Sequence, residues 1–370
     1  MSSTGPVITV VLPTYRRPHL VGRAIQSVLN QTYPKFEVYV YDNASGDETR
    51  DVVLSFAVRD SRVKYHCHSE NIGALRNFVF GAERVQTEFL VFLGDDDLIL
   101  PGFFQTAMDA FERHQSPMMF LGNQIFANPD GAVIALPFAG WPEGLYQPPD
   151  AFFQWIKAPF GWSSAMFRRA AVENVGGLEA SAAEFLDGDL MAKVASRYAV
   201  VFSPTPCAVF FEGGMFNKVA LAAWRRAQML TKRSMENDSA ICSATRARMV
   251  CALDQFIDRA TFRWGLTRAA RYGGIEEARA AAAILRDADA PVSRVRLVEL
   301  FGSESAAGNT ARWAFRNAYR LRARIKRLAA YRTYRECDAA LSAALKAATD
   351  GAAAVPDGGR SGAPAGGRRA

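Results

Sequence analysis

The 370-residue chain has no run of eighteen or more apolar residues, so the sequence offers no membrane-spanning helix. Its first residues, Met1-Ser2-Ser3-Thr4-Gly5-Pro6, lack the basic and apolar regions of a secretory signal, and a soluble, cytoplasmic protein is expected. Cysteine is scarce: the five residues Cys67, Cys207, Cys242, Cys251 and Cys337 show no Cys-x-x-Cys spacing. That argues against a disulfide framework and a zinc site and predicts free thiols in or near the core. All four histidines (His19, His66, His68, His114) lie in the first third, so acid–base or metal chemistry later in the chain must rely on carboxylates. No glycine-rich turn follows the first apolar run, where Pro13-Thr14-Tyr15-Arg16-Arg17 stands instead, which argues against dinucleotide-dependent hydride transfer. The P-loop signature is missing too, which argues against simple nucleotide triphosphate hydrolysis.

What is present is a change from apolar to acidic within a few residues. Phe89-Leu90-Val91-Phe92-Leu93 reads as a buried parallel strand, and it stops at Gly94 followed by Asp95, Asp96 and Asp97. Ligands of open α/β sheets gather at the carboxyl ends of such strands. Three adjacent carboxylates repel one another, and a hard dication such as Mg²⁺ or Mn²⁺ would relieve that repulsion; a solvated turn capping the next helix is the alternative. Two further strands end in polar loops: Val7 to Leu12 before Pro13-Thr14-Tyr15-Arg16, and Phe36 to Tyr41 before Asp42-Asn43. Helices are expected from Pro18 to Asn30, after a Ser45-x-x-Glu48 capping box, to about Arg84 and from Pro101 to His114. Further strands are expected at Val63 to Tyr65, Met118 to Ile125, Phe160 to Phe167, Val200 to Phe202 and Ala208 to Phe211, with short helices near Val172 and from Phe185 to Arg197. Alternating strands and helices predict an α/β fold with a mostly parallel sheet covered on both faces. Pro129 to Pro159, rich in Pro, Gly and aromatic residues, reads as a loop-rich wall or lid.

Charge divides the chain. Residues 1–215 carry −7 (16 basic, 23 acidic) and residues 216–370 carry +14 (28 basic, 14 acidic). The expected units are an α/β domain over 1–215, a basic helical region over 216–350 and a disordered tail over 351–370. Within the basic region, Ala318, Leu321, Ile325 and Leu328 define one helical face, with Arg312, Arg316, Arg320, Arg324 and Arg327 on the other. A solvated face of a helix packed on its own domain, an anionic membrane surface and an acidic carrier protein all fit this pattern; nucleic acid is the least favoured partner.

The three strand ends together, with Val28-Leu29-Asn30-Gln31-Thr32-Tyr33-Pro34-Lys35-Phe36-Glu37 and Asn71-Ile72-Gly73-Ala74-Leu75-Arg76-Asn77, resemble the family 2 glycosyltransferases with the GT-A fold. Gly176-Gly177-Leu178-Glu179 followed by Leu186-Asp187-Gly188-Asp189-Leu190 extends the likeness to about Phe211. The resemblance implies a Rossmann-like nucleotide-diphospho-sugar transferase fold and an inverting hexosyl- or N-acetylhexosaminyltransferase using a UDP- or dTDP-sugar. It places Pro13, Thr14, Tyr15, Arg16, Asp42, Asn71 and Arg76 around the nucleotide, Asp95 at the ribose or sugar, and Trp162 and Ser163 at donor sugar or acceptor. Asp96, with Asp95 or Asp97, would bind Mg²⁺ or Mn²⁺, and Asp187 or Asp189 would be the catalytic base.

Three departures accompany the likeness. Gly94 stands where the first metal-motif aspartate is usual, Leu186 stands before the catalytic aspartate where a glutamate is usual, and Glu212 is the only candidate for the histidine often found after the last core strand. The acceptor is open among glycan, lipid-linked intermediate, natural product and carrier-protein-bound molecule. The rival readings are a nucleotidyltransferase acting on a sugar phosphate and a degenerate nucleotide-binding scaffold.

Overall fold

The computed structural model describes residues 5–114, 117–128, 132–136, 141–157, 161–179, 181, 185–211, 221–329, 336–337 and 339–347. The first half alternates strand and helix: β1 (Ile8–Thr14), α1 (Pro18–Leu29), β2 (Phe36–Asp42), α2 (Thr49–Arg59), β3 (Val63–Cys67), α3 (Ala74–Ala82), β4 (Phe89–Phe92), the two-residue β5 (Leu98–Ile99) and α4 (Phe103–Arg113). Then come β6 (Met119–Ala127), β7 (Val133–Ala135), β8 (Gly144–Tyr146), α5 (Asp150–Trp155), a single 3-10 turn at Trp162–Ser164, β9 (Ala165–Arg168), α6 (Arg169–Asn174), α7 (Leu186–Arg197) and β10 (Val200–Phe211). Helices follow: α8 (Leu221–Glu236), α9 (Ser243–Tyr272), α10 (Ile275–Asp287), α11 (Val292–Phe301) and α12 (Ala306–Ala329).

One sheet has the order β3-β2-β1-β4-β9-β6-β10-β5, with β7 on β6 and β8 on β10. β1, β2, β3, β4, β6 and β10 run the same way, and β9, antiparallel to both β4 and β6, is wedged between them. Each central strand is apolar on both faces because each face is covered. Val11, Leu90 and Phe92 join the core under α7, whereas Ile8, Val10, Leu12, Phe89, Val91 and Leu93 join the core under α1 and α4. Full burial of such side chains stabilises by about 1.5–3 kcal/mol each, which is why this half reads so clearly as strand. Gly81 lets α3 lie against the sheet, since a Cβ there would stand 2.5 Å from Val11 Cγ1.

The sequence expectations depart from the structure in particular places. The two last strands are one strand, β10, whose register slips around Ser203 and Pro206, because proline removes a ladder donor without ending the extended run. The Ser45–Glu48 capping box does not form: Glu48 makes no side-chain cap bond, and the Thr49 amide is bonded by Asp47 Oδ1 at 3.0 Å instead. Cys67, Cys242 and Cys251 are exposed, and Cys207 and Cys337 are buried. The expected wall between Pro129 and Pro159 contains β7, β8 and α5, of which β8 pairs with β10; residues 129–131, 137–140 and 158–159 of it lie outside the described residues.

The basic region does not stand off from the sheet. Met235, Ile241, Met249, Leu253 and Ile257 share one continuous core with Leu190, Val194 and Phe92. A second core of Trp224, Trp264, Leu285, Val298 and Phe301 holds α8 to α11 together. Residues 339–347 are helical, and Cys337, Leu341 and Ala344 pack on Leu98, Ile125 and Val209. The tail expected over 351–370 lies outside the described residues, as does Glu212. Among the described residues, no helix is long and apolar enough to cross a membrane.

Candidate active site

Strand order reverses at β1: β2 and β3 lie on one side and β4 on the other, which makes the β1–β4 boundary a topological switch point. The loops leaving the carboxyl ends of β1 and β4 meet there, where ligands of open α/β sheets take their crevice. Thr14, the last residue of β1, donates from Oγ1 to Asp95 Oδ2 at 2.8 Å across that boundary. The β1 and β2 loops are tied together as well. The Asn43 amide donates to Thr14 O at 3.0 Å, the Arg16 amide to Ser45 Oγ at 2.8 Å, and Arg16 Nε to Ser45 O at 3.1 Å. Arg16 and Ala44 hold φ angles of 53° and 59°, a left-handed geometry that costs roughly 1 kcal/mol or more for a side chain with a Cβ. The strain sits in the two loops that border the crevice.

Asp42 is buried at the end of β2 with both oxygens engaged. Oδ1 accepts from the Ser45 amide and hydroxyl at 2.9 and 2.5 Å, and Oδ2 accepts from Tyr65 Oη at 2.7 Å. Ser45 thus serves this loop rather than a helix cap. A ligand donor reaching Asp42 finds one lone pair of Oδ2 left. Asn71 is exposed, and its Oδ1 accepts from Asn43 Nδ2 and the Gly73 amide, both at 2.9 Å. Arg76 is exposed on α3 and Tyr15 is 36% exposed, with the Arg16 guanidinium 5.2 Å from its ring centre. Pro13 is buried within β1. Gln31, part of the segment that carries the resemblance, steadies the chain after the triplet: Nε2 donates to Leu100 O at 2.6 Å and Oε1 accepts from the Phe104 amide at 3.0 Å.

The three aspartates have three different environments. Asp96 is the exposed member, with 31% of its side chain open. Asp95 is buried, and Arg17 Nη1 lies 2.8 Å from Asp95 Oδ1 and 3.1 Å from Asp96 Oδ2. Burial pushes the Asp95 carboxyl up in pKa, with Arg17 opposing, while the two aspartates hold the guanidinium above its usual range despite its own partial burial. Arg17 was not among the residues expected from sequence, although its place as the second of two arginines after Tyr15 was a signal. Asp97 turns the other way: its Oδ2 accepts from Ser163 Oγ at 2.5 Å and its Oδ1 from the Phe211 amide at 3.4 Å. Burial, and then the neighbouring Asp96, raise the Asp97 carboxyl well above the usual range. Asp97 and Ser163 are buried and bonded to each other, with Phe211 on the second Asp97 oxygen. Gly94 matters here too, because a Cβ there would stand 3.0 Å from Asp96 Oδ1.

Among the described residues, no three His, Cys, Asp or Glu side chains cluster as a ready metal site. The donor chemistry still fits one pattern. Asp95 Oδ1 and Asp96 Oδ2 converge on one guanidinium nitrogen, and two convergent carboxylates completed by substrate phosphates and water are how Mg²⁺ is commonly held. A dication placed there would have to take over Arg17's position.

Asp187 and Asp189 both lie in the first turn of α7, and their surroundings separate them. Asp189 is buried and saturated, with Lys193 Nζ at 2.8 Å from Oδ2 and Thr231 Oγ1 donating to Oδ1 at 2.7 Å. Asp187 is recessed yet still reached by solvent, and its Oδ1 accepts from the Gly188 amide at 2.7 Å. Desolvation raises its pKa. Gly161 closes on it: a Cβ at Gly161 would lie 3.2 Å from Asp187 Oδ2, and Gln124 Nε2 holds the Gly161 carbonyl at 3.0 Å. Trp162, expected at the sugar or acceptor, is a core residue, 7% exposed and stacked 4.4 Å from Phe92. It backs the site rather than lining it.

Residues 9–176 match the family described as Glycosyl transferase family 2. Among curated relatives, the chain is 36% identical over 104 residues to the GalNAc(5)-diNAcBac-PP-undecaprenol beta-1,3-glucosyltransferase of Campylobacter jejuni, covering 28% of this chain and 34% of that protein. It is 28% identical over 122 residues to the UDP-Glc:alpha-D-GlcNAc-diphosphoundecaprenol beta-1,3-glucosyltransferase WfgD of Escherichia coli, covering 33% of this chain and 47% of that protein. The matches thus span between a third and a half of these relatives' own lengths. Among solved structures, TarS 1-349 of S. aureus in complex with UDP-GlcNAc superposes with a TM-score of 0.60 at 17% identity, covering 85% of this chain and 91% of that one. That likeness reaches past the sheet into the C-terminal helices and concerns the fold. The strand-end loops, the switch point between β1 and β4 and the matched segment agree: through residues 9–176 the chain belongs to the family 2 glycosyltransferases, on a GT-A fold.

Proposed function

We propose that the protein is an inverting glycosyltransferase that moves a sugar from a UDP-sugar, or a dTDP-sugar, to an acceptor nucleophile. The observation that carries this reading is the Thr14–Asp95–Arg17–Asp96 constellation at the switch point, to which a recessed carboxylate, Asp187 in the first turn of α7, is added as the candidate base. The β1 and β2 loops would hold the nucleoside, with Tyr15, Arg16, Asp42, Asn71 and Arg76 around it and Asp95 at the ribose or sugar. Arg17, released from the two aspartates, is placed to neutralise a diphosphate. Asp96 with Asp95 would hold Mg²⁺ or Mn²⁺, and such an ion supplies positive charge to the departing diphosphate.

Asp187 would take the proton of the acceptor hydroxyl as that oxygen attacks the anomeric carbon opposite the leaving diphosphate. The C–O bond to the acceptor forms, the C–O bond to the diphosphate breaks with its electron pair, and configuration inverts. A raised pKa suits a base that must hold a proton briefly and then release it. Asp189, already bound to Lys193 and Thr231, is the positioning residue of the pair.

The relatives named for diphosphoundecaprenol substrates support a lipid-linked acceptor for this chain too; a cytoplasmic protein in peripheral contact with the membrane is the localisation that would suit such an acceptor. A carrier-protein-bound acceptor is the other use that the basic C-terminal region would suit. The deciding experiment is a thermal-shift panel of nucleoside diphosphates and nucleotide sugars, each with and without Mn²⁺. Ligands that bind only the native state raise apparent stability by mass action. UDP or dTDP with Mn²⁺ is expected to raise Tm; if no diphosphate nucleotide does so with metal present, the reading fails. Release of pyrophosphate instead of a nucleoside diphosphate would move the protein to nucleotidyl transfer.

A further inference from the structure

Periodicity sets Ala318 and Leu321 of α12 on one face and its arginines on the other; in the structure Arg312 is turned inward and Leu321 outward, while Arg316 and Arg320 are exposed. Arg312 is 7% exposed, and its Nη1 donates to the carbonyls of Phe301 and Ser303 at 2.5 and 2.7 Å. Those carbonyls are at the C-terminal end of α11, where unpaired acceptors and the helix dipole favour a cation. Arg316 Nε donates to Ala270 O near the end of α9 at 2.7 Å, and Phe315 packs edge-on against Phe301 with centroids 5.5 Å apart. These three residues fix the rotation of α12 about its axis.

The opposite side is left to solvent. Trp313 is 67% exposed and Leu321 59%, and Ala314 and Ala318 are exposed as well. At 3.6 residues per turn, Trp313, Ala314, Asn317, Ala318 and Leu321 fall within one arc of about 140°, with the exposed Arg320 at its edge. From Ser305 to Arg335 the sequence has nine Lys or Arg and no Asp or Glu.

We propose that this face of α12 docks on an anionic lipid bilayer, with Trp313 and Leu321 entering the headgroup boundary and the flanking arginines pairing with lipid phosphates. An aromatic and an aliphatic anchor on a helix that is otherwise basic is the composition of an interfacial helix, and charge complementarity selects the anionic surface. The proposal rests on the lipid-linked transferase reading and deepens it by naming the surface that makes the membrane contact.

The test is co-sedimentation of the full chain with vesicles of phosphatidylcholine alone or with roughly one third phosphatidylglycerol. The chain is expected to partition onto the anionic vesicles and much less onto the neutral ones, and to be released by salt. Combined Trp313→Ser and Leu321→Ser substitution is expected to lower partitioning roughly tenfold with Tm unchanged, because both side chains face water, and Arg320→Glu is expected to lower it further. Equal binding to neutral vesicles, variants that sediment like the wild type, or no sedimentation would each overturn the proposal. So would self-association that the double variant abolishes, or retention by an acidic protein or polyanion without vesicle binding. UDP-induced thermal shift, measured on the same variants, reports the nucleotide crevice separately: loss of vesicle binding with the shift intact concerns α12, and loss of the shift in the wild type concerns the transferase reading.

Discussion

Thr231 on α8 donates to Asp189 on α7 across 2.7 Å, inside a region where neither residue meets solvent. This bond, with the Lys193–Asp189 ion pair on the other oxygen, joins the C-terminal helices to the turn that carries Asp187. It ties both Asp189 oxygens into the framework, whereas Asp187 is partly open to solvent, and the proposal that Asp187 is the base rests on that difference.

Removing Asp189 is therefore expected to damage folding. Asp189→Ala leaves Lys193 buried without its near partner and should cost about 3–5 kcal/mol, whereas Thr231→Val removes one hydrogen bond and should cost about 1 kcal/mol. Urea denaturation checks both. Full stability in Asp189→Ala would refute the framework role.

Asp187→Asn should lower kcat by about 10²- to 10⁴-fold while UDP binding persists. Its stability effect has the opposite sign. Because desolvation raises the folded-state pKa of Asp187, the folded protein binds this proton more tightly than the unfolded chain, and stability falls as pH rises from the unfolded pKa through the folded one. Asparagine lacks that penalty, so the variant should be at least as stable as the wild type at neutral pH, and any advantage should shrink in acid. The same shift places the acidic limb of the wild-type kcat/KM profile above the ordinary aspartate value of about 3.9, with activity lost as pH falls through it. A limb at or below the ordinary value would contradict the assignment.

Gly161→Ala tests the spacing around that base. The added methyl would sit 3.2 Å from Asp187 Oδ2, so the carboxylate must shift by a few tenths of an ångström. A displacement that small is expected to lower kcat by roughly tenfold or more with donor KM little changed, because the reacting geometry is more demanding than binding. Steady-state kinetics at varied donor concentration separate the two; an effect confined to donor KM would place Gly161 in the donor pocket instead.

Arg17→Met should leave Asp95 and Asp96 without their shared cation. Tm is expected to fall, and Mn²⁺ without nucleotide should restore it more in the variant than in the wild type, since the ion no longer competes with the guanidinium. Nucleoside diphosphate affinity should drop, and EDTA should weaken nucleotide binding in the wild type. Calorimetric titration with Mn²⁺ reads the first effect; unchanged Mn²⁺ affinity in Arg17→Met would separate Arg17 from any metal position.

The strands of the first half were legible because burial on both faces writes itself as unbroken apolar runs: Ile8 to Leu12 and Phe89 to Leu93 could hardly be anything else. The polar residues at their ends were legible for the same reason, since an apolar run that stops at Asp95 needs a cause. Partners separated by long stretches of chain were not. Nothing near Ser45 says that its hydroxyl will serve Asp42 and Arg16 rather than Glu48, and nothing near Asp97 says that it will turn toward Ser163.

The sequence by itself determined an α/β sheet whose strand ends carry carboxylates, and the family to which that arrangement belongs, because periodicity and local turn chemistry act over a few residues. Only the tertiary structure decided which carboxylates remain free and which way α12 faces. Those choices depend on what packs against each side chain: Thr231 and Lys193 on Asp189, Arg17 on Asp95 and Asp96, and the α11 carbonyls on Arg312. Once desolvated, a charge must find a partner wherever the fold supplies one, however distant in sequence.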